Sequence, residues 1–253
     1  MELQTLVSLI LERAHGKATV AVALSGGVDS GLVAAAAHEA VGQRAVACTV
    51  VSELTPARDR SRAAEVAAHI GIRHHLPVIS VLDDPGVREN SARRCYHCKR
   101  HVFQAMREAF GSDCLLLDGT NRDDDPARPG LQAVGEFEVL SPLYAAGMDK
   151  DAVRELARKV GLPNWDAPSE SCLATRISPG APLTGTGLAQ VEAMEIFWHG
   201  LGVETVRARL DNLMATVEYL PQYAEIIILN RDNFVALVEK IGLRSCVFKE
   251  WRE

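Results

Sequence analysis

The stretch RRCYHCKRHVF, residues 93–103, sets Cys95 and Cys98 three positions apart among Arg93, Arg94, Lys99 and Arg100. A pair spaced in this way serves as half of a zinc site, as a redox pair, as part of an iron–sulfur site, or has no ligand role. Structural zinc takes four ligands. No second Cys-x-x-Cys or histidine pair completes the set, although His97 and His101 stand nearby. The basic side chains read either as a solvated face or as partners of a substrate phosphate. A second stretch, ALSGGVDSGL (23–32), can bring the backbone N–H groups of Ser25, Gly26 and Gly27 close to an anion at a helix N-terminus. Asp29 and Ser30 can cap that helix, or hold Mg2+ and phosphate oxygens. The loop lacks the lysine of a Walker A motif, and its spacing fails the G-x-G-x-x-G pattern. The plain alternative is a glycine turn with a capped helix. In DGTNRDD (118–124), Asp118, Thr120, Asn121 and Asp123 form a polar turn that could contact nucleotide or metal. Arg128 and Arg176 are candidate anion partners, because a guanidinium grips phosphate through two hydrogen bonds.

These residues must be carried by elements that the sequence also marks. ATVAVAL (18–24), AVACTVV (45–51), RHHLPVI (73–79) and CLLLDGT (114–120) read as strands, and EFEVLSPL (136–143) is a candidate fifth. Cys48 and Cys114 lie inside apolar runs and read as core residues; Cys246 has no assigned role. GLVAAAAHEAV follows the glycine turn as a helix. PARDRSRAAEVAAHIGI (56–72) opens on proline and ends near Gly71, and DKDAVRELARKVGL (149–162) is a capped helix stopping at Gly161. Strands alternating with helices predict an α/β fold with a doubly wound, mostly parallel sheet, whose ligands bind beyond the carboxyl ends of the strands. The pattern changes at SPGAPLTGTGL (178–188), rich in Pro, Gly and Thr. Beyond it come an apolar helix near 188–200, a hairpin from VETVRARL and LMATVEYL, a helix, and a last strand SCVFKEW. The expected division is therefore residues 1–178 and a small α+β domain at 179–253, too small to fold well alone.

The chain has 253 residues and a formal charge of −6, which weighs against a large nucleic-acid partner, since phosphate neutralisation needs a concentrated basic face. No apolar run approaches membrane-spanning length. The N-terminus, MELQTLVSLI, reads as a short amphipathic helix and not as a secretory signal. Six cysteines without such a signal predict a reducing, cytoplasmic compartment.

SGGVDS resembles the pyrophosphate (PP) loop of the ATP pyrophosphatase superfamily. RCYHCK, DGTNRDD, RPG, SPL, GLPNWDAPSESCLATRI and VRARLDNLMATVEY follow in the order of the LarE family of ATP-dependent sulfur transferases. The resemblance covers nearly the whole chain. It implies an adenine nucleotide alpha hydrolase-like fold, ATP and Mg2+ at Ser25, Gly26, Gly27, Asp29, Ser30, Asp118, Thr120 and Asn121, and a pyridinium-3,5-biscarboxylic acid mononucleotide substrate. Cys172 and Asp29 are the implied catalytic residues, and Cys172 with Cys95 and Cys98 makes a three-thiolate set for a [4Fe–4S] cluster with one open iron. The alternatives are that Cys172 surrenders its own sulfur, or that the chain is a PP-loop tRNA thiolase. Arg207 is implied to contact the substrate phosphate. Glu195 and Glu225 occupy approximate matches to family positions near the sulfur site; they could bind a metal but read rather as surface acids, and Trp165 reads as core filling. The resemblance also implies a homo-oligomer.

Overall fold

Four short runs of Val, Ala, Leu and His cannot cover their own backbone polar groups, and pairing side by side satisfies them. In the computed structural model, which describes residues 2–168 and 171–251, β1 (Val20–Ala23), β2 (Ala45–Cys48), β3 (Arg73–His75) and β4 (Leu115–Leu117) form one parallel sheet in the order β3-β2-β1-β4. Alternate side chains leave the two faces. Val20, Val22, Ala45, Ala47 and Leu117 join one core with α1 (Leu3–Arg13), α2 (Val28–Val41), α3 (Ala57–Ile70) and α6 (Lys150–Lys159). Ala21, Cys48, Cys114 and Leu116 join the other with α4 (Arg94–Phe110), through Tyr96, Phe103 and Met106, and with Ala133 of α5 (Pro129–Glu136). The period of two thus builds a sheet covered by helices on both sides, as the sequence predicts. Cys48 and Cys114 are core residues, and burial pushes the Cys48 thiol up to about 12.

The chain divides into two compact units: 2–81 with 93–168, and 82–92 with 171–251. The fifth strand expected at 136–143 does not form. Glu138 has a φ of 51°, Leu140 makes only an isolated bridge to Leu117, and Pro142, with no N–H to donate, opens a helical turn (Pro142–Ala145). The predicted cap of α6 is present, with the Asp149 side chain accepting from Ala152 N.

The second unit carries α7 (Gly185–Gly200), the antiparallel pair β5 (Val206–Asp211) and β6 (Met214–Tyr219), α8 (Arg231–Lys240), and β7 (Ser245–Glu250), which runs parallel to β6. Its core is aromatic. Trp198 is fully buried, with its ring 4.9 Å from Phe234 and 6.2 Å from Phe248. Large rings supply much apolar area per residue, which a unit this small needs. Among the described residues no helix is long and apolar enough to cross a membrane.

Candidate functional site

Because β1 and β4 are neighbours, the loops after them emerge side by side at the carboxyl edge of the sheet. After β1 the chain turns through Ser25, Gly26 and Gly27 into α2. The Ser30 hydroxyl closes that turn: it accepts from Ser25 N at 3.1 Å and donates to Gly27 O at 3.1 Å. Gly26 has a φ of +86°, and a Cβ there would lie 2.6 Å from the Asp59 carbonyl oxygen, so only glycine fits. From the other side, Asn164 donates to Gly26 O at 2.9 Å. The loop is therefore set by α3 and by the segment after α6, and its donors open α2.

The turn after β4 packs on this loop without space. A Cβ on Gly119 would sit 2.7 Å from Ser30 N and 3.0 Å from Ser30 Cα. Those are backbone atoms and cannot swing aside. Gly119→Ala is expected to force the two loops apart, at an overpacking cost of about 1–3 kcal/mol. Thermal denaturation and ATP titration calorimetry should show a lowered Tm together with weakened ATP binding.

Around that contact the polar groups converge. Asp118 is buried; its carboxylate accepts from Ser141 Oγ at 2.6 Å and from Thr120 Oγ1 at 2.7 Å. Asn121, also buried, holds its own turn by accepting from Asp123 N. Asp29 does not cap α2, as sequence reading allowed. Gly27 is the N-cap, without a side-chain bond, and Asp29 stands in the first turn. Its Oδ1 is buried with no hydrogen-bond partner among the described residues. Burial raises its pKa above the usual carboxylate value, Asp124 adds to the rise, and Lys150, the Asn121 amide and Arg154 oppose it. An orphaned carboxylate oxygen beside a phosphate-type loop fits a divalent cation such as Mg2+.

Lys99 is one of the four basic residues that read either as a solvated face or as partners of a substrate phosphate, and it reaches the buried Asp118. The loop has no lysine of its own, but Lys99 arrives from α4 and places Nζ 3.3 Å from Asp118 Oδ2. Lys150, Arg154 and Asn164 are the residues that sequence reading missed; Asn164 is buried, whereas its neighbour Trp165, expected in the core, is 39% exposed. Arg128 is exposed and paired with Asp124. Cys95 sits in the first turn of α4 and Cys98 in the second, three positions apart and so on one face, with Arg94 Nη2 3.7 Å from Cys95 Sγ. That placement fits two neighbouring thiolate ligands. Within neither unit do the described residues gather three or more His, Cys, Asp or Glu side chains into a metal-binding group. The other basic residues of this stretch are engaged locally: Arg93 lies over the Tyr96 ring, and Arg100 pairs with Glu136.

In the second unit Cys172 is the N-cap of a single 3-10 turn, Leu173–Arg176. Arg176 is buried and its Nε donates to Glu195 Oε1 at 2.6 Å. Glu195, read from sequence as a surface acid, is thus an interior one, while Glu225 is exposed as expected. Arg207 stacks over the Trp251 ring at 4.0 Å. The first unit therefore brings together Ser25, Gly26, Gly27, Asp29, Ser30, Asp118, Thr120 and Asn121. The second brings Arg176 next to the Cys172 turn.

The sequence matches the asparagine synthase family model over residues 3–92. It is 31% identical to a pyridinium-3,5-bisthiocarboxylic acid mononucleotide synthase of Lactiplantibacillus plantarum, over 89% of this chain and 83% of that one. It is 37% identical to an uncharacterized protein of Synechocystis, over 79% and 76% of the two chains. A tRNA-specific 2-thiouridylase of Pelobacter propionicus is 33% identical over 57% of this chain and 50% of its own.

Proposed function

Because the chain belongs to the LarE family of PP-loop, ATP-dependent sulfur transferases, we propose that it converts pyridinium-3,5-biscarboxylic acid mononucleotide to the bisthiocarboxylic acid. The supporting observation is the reach of the synthase match. At 89% of the chain it necessarily runs through Cys95, Cys98 and Cys172, whereas the thiouridylase match covers little more than half.

The chemistry follows from the leaving group. A carboxylate cannot expel oxide, so its oxygen must first be made part of a better leaving group. The substrate carboxylate attacks the α-phosphorus of ATP, forming an O–P bond and releasing pyrophosphate. The first turn of α2, whose N–H groups lack intrahelical partners, would meet the charge that develops on the departing phosphates. Magnesium held at Asp29 would neutralise further charge there. A sulfur nucleophile then adds to the acyl carbon, and the C–O bond to AMP breaks, giving a thiocarboxylate. The sulfur source in this proposal is a three-thiolate [4Fe–4S] cluster on Cys95, Cys98 and Cys172, which would supply a transferable sulfide. If Cys172 itself is the donor, its thiolate attacks and AMP leaves; a base then removes the Cα proton and the Cβ–S electron pair departs with the thiocarboxylate, so the residue becomes dehydroalanine. The proposal keeps the homo-oligomer implied by the family.

Lys99 takes the role of a phosphate-neutralising cation. A charge-assisted hydrogen bond is worth about 1.5–3 kcal/mol, so Lys99→Met should lower kcat/KM for ATP by about 10- to 100-fold. Steady-state pyrophosphate release over a range of ATP concentrations measures it. The adenylation step is tested by exchange of labelled pyrophosphate into ATP. Exchange that depends on the pyridinium biscarboxylate supports the proposal; exchange that depends on tRNA instead would replace it with the thiouridylase reading.

A further inference from the structure

We infer that Thr175, Arg176 and Glu195 form a positioning device for the Cys172 thiol; the inference rests on the sulfur-transfer reading above. A single 3-10 turn has little stability of its own, because its few hydrogen bonds do not offset the order they impose. The turn that begins at Cys172 is nevertheless tied at every step. Cys172 O accepts twice from Thr175, from N at 3.0 Å and from Oγ1 at 2.8 Å. The Thr175 hydroxyl, having donated its proton, accepts from Arg176 Nη1 at 2.9 Å. Arg176 Nε donates to Glu195 Oε1 on α7, and the same oxygen accepts from Ala208 N on β5 at 3.0 Å. Arg209, on the same strand, donates to Thr175 O at 3.2 Å. The carbonyl of Cys172 is thereby fixed to a helix and a strand through one hydroxyl and one buried ion pair.

A buried ion pair is weak evidence for stability, since desolvation offsets most of its attraction. Its use here is geometric. With the carbonyl of Cys172 anchored, the freedom left to Sγ is rotation about Cα–C and χ1, and a shift of the order of 1 Å in a reacting group is enough to lower a rate about a hundredfold. Arg176 has Nε and Nη1 committed to this network, so it acts on the thiol through Thr175. Thr175 is a positioning residue, outside the ATP loop and not itself a sulfur donor.

The decisive variant is Thr175→Val, which keeps the shape and removes the hydroxyl; Thr175→Ser restores it. Two readouts are taken on the full chain. The first is the iodoacetamide alkylation rate of Cys172 across pH, after removal of metal with chelator under reductant, with Cys246 as internal reference. The second is single-turnover thiocarboxylate formation against the pyrophosphate burst. In Thr175→Val, Cys172 alkylation should change by about threefold or more while Cys246 does not. Transfer should slow by about tenfold or more with the pyrophosphate burst retained, and Thr175→Ser should return both to wild-type values. Wild-type behaviour of Thr175→Val in either readout overturns the positioning role. A wild-type protein that forms no thiocarboxylate overturns the sulfur-transfer reading instead, and the alkylation rates still report on the turn.

Discussion

Cys172→Ala is expected to stop thiocarboxylate formation, by about three orders of magnitude or more, while a single burst of pyrophosphate per site remains. In the proposed reaction the two half-reactions use different groups. Adenylation draws on the loop of the first unit, where the 25–27 turn, Asp29 and the 118–121 turn converge. Transfer needs the sulfur that Cys172 holds or donates. Without it, the acyl adenylate forms once and stalls, because nothing displaces AMP except slow water attack. Cys172→Ser should stall in the same way, since a neutral hydroxyl is a far poorer nucleophile than a thiolate. Quenched-flow pyrophosphate release with mass analysis of the nucleotide products reads both halves. The wild-type chain weighed after turnover separates the sulfur sources: loss of one hydrogen sulfide identifies Cys172 as donor, and an unchanged mass points to a replaceable sulfide. Steady pyrophosphate release at the wild-type rate with full product in Cys172→Ala would remove this residue from the mechanism.

Asp29→Asn should lower ATP turnover by about 10²–10⁴-fold and, unusually for an interior substitution, leave the fold as stable or more so in magnesium-free buffer. The sign follows from its raised pKa. A carboxyl whose folded pKa lies above the unfolded value favours the folded state when protonated, and that advantage is lost as pH rises through the folded pKa. At neutral pH the ionised group therefore costs stability, and Asn, always neutral, escapes the cost. Magnesium binding relieves the same cost in the wild type, so Mg2+ should raise the wild-type Tm but not that of Asp29→Asn. Differential scanning calorimetry with and without Mg2+ checks the stability half; a Tm for Asp29→Asn several degrees below wild type in metal-free buffer would contradict it.

Much of the scaffold was legible because its signals are local. The β-branched and alanine-rich runs at 20–23 and 45–48 form strands, and Asp149 caps α6 as its position before an amphipathic run implies. The loop residues converge because strand, turn and helix lie consecutively in the chain. What the sequence hid depends on distance. Lys99 meets Asp118 across 19 positions, and Arg176 meets Glu195 across the same separation, so neither pair leaves a spacing signal. Glu195 falls within an apolar helix, a hint that its carboxylate needs an interior partner, yet acids are so often exposed that this hint is weak. At 164–165 a large ring suggested the core, but the smaller Asn164 is inside because its amide reaches Gly26 O. At 136–143 the alternation looked like a strand, and Pro142 with the left-handed Glu138 overrode it.

The most direct measurement is of the product: the anaerobic full-length protein with ATP, Mg2+ and pyridinium-3,5-biscarboxylic acid mononucleotide, followed by mass spectrometry of the nucleotide pool. The expected result is a mononucleotide in which carboxylate oxygen has been replaced by sulfur, with one AMP and one pyrophosphate formed for each replacement. Hydrolysis of ATP without any sulfur in the mononucleotide, or sulfur found in added tRNA instead, would contradict it.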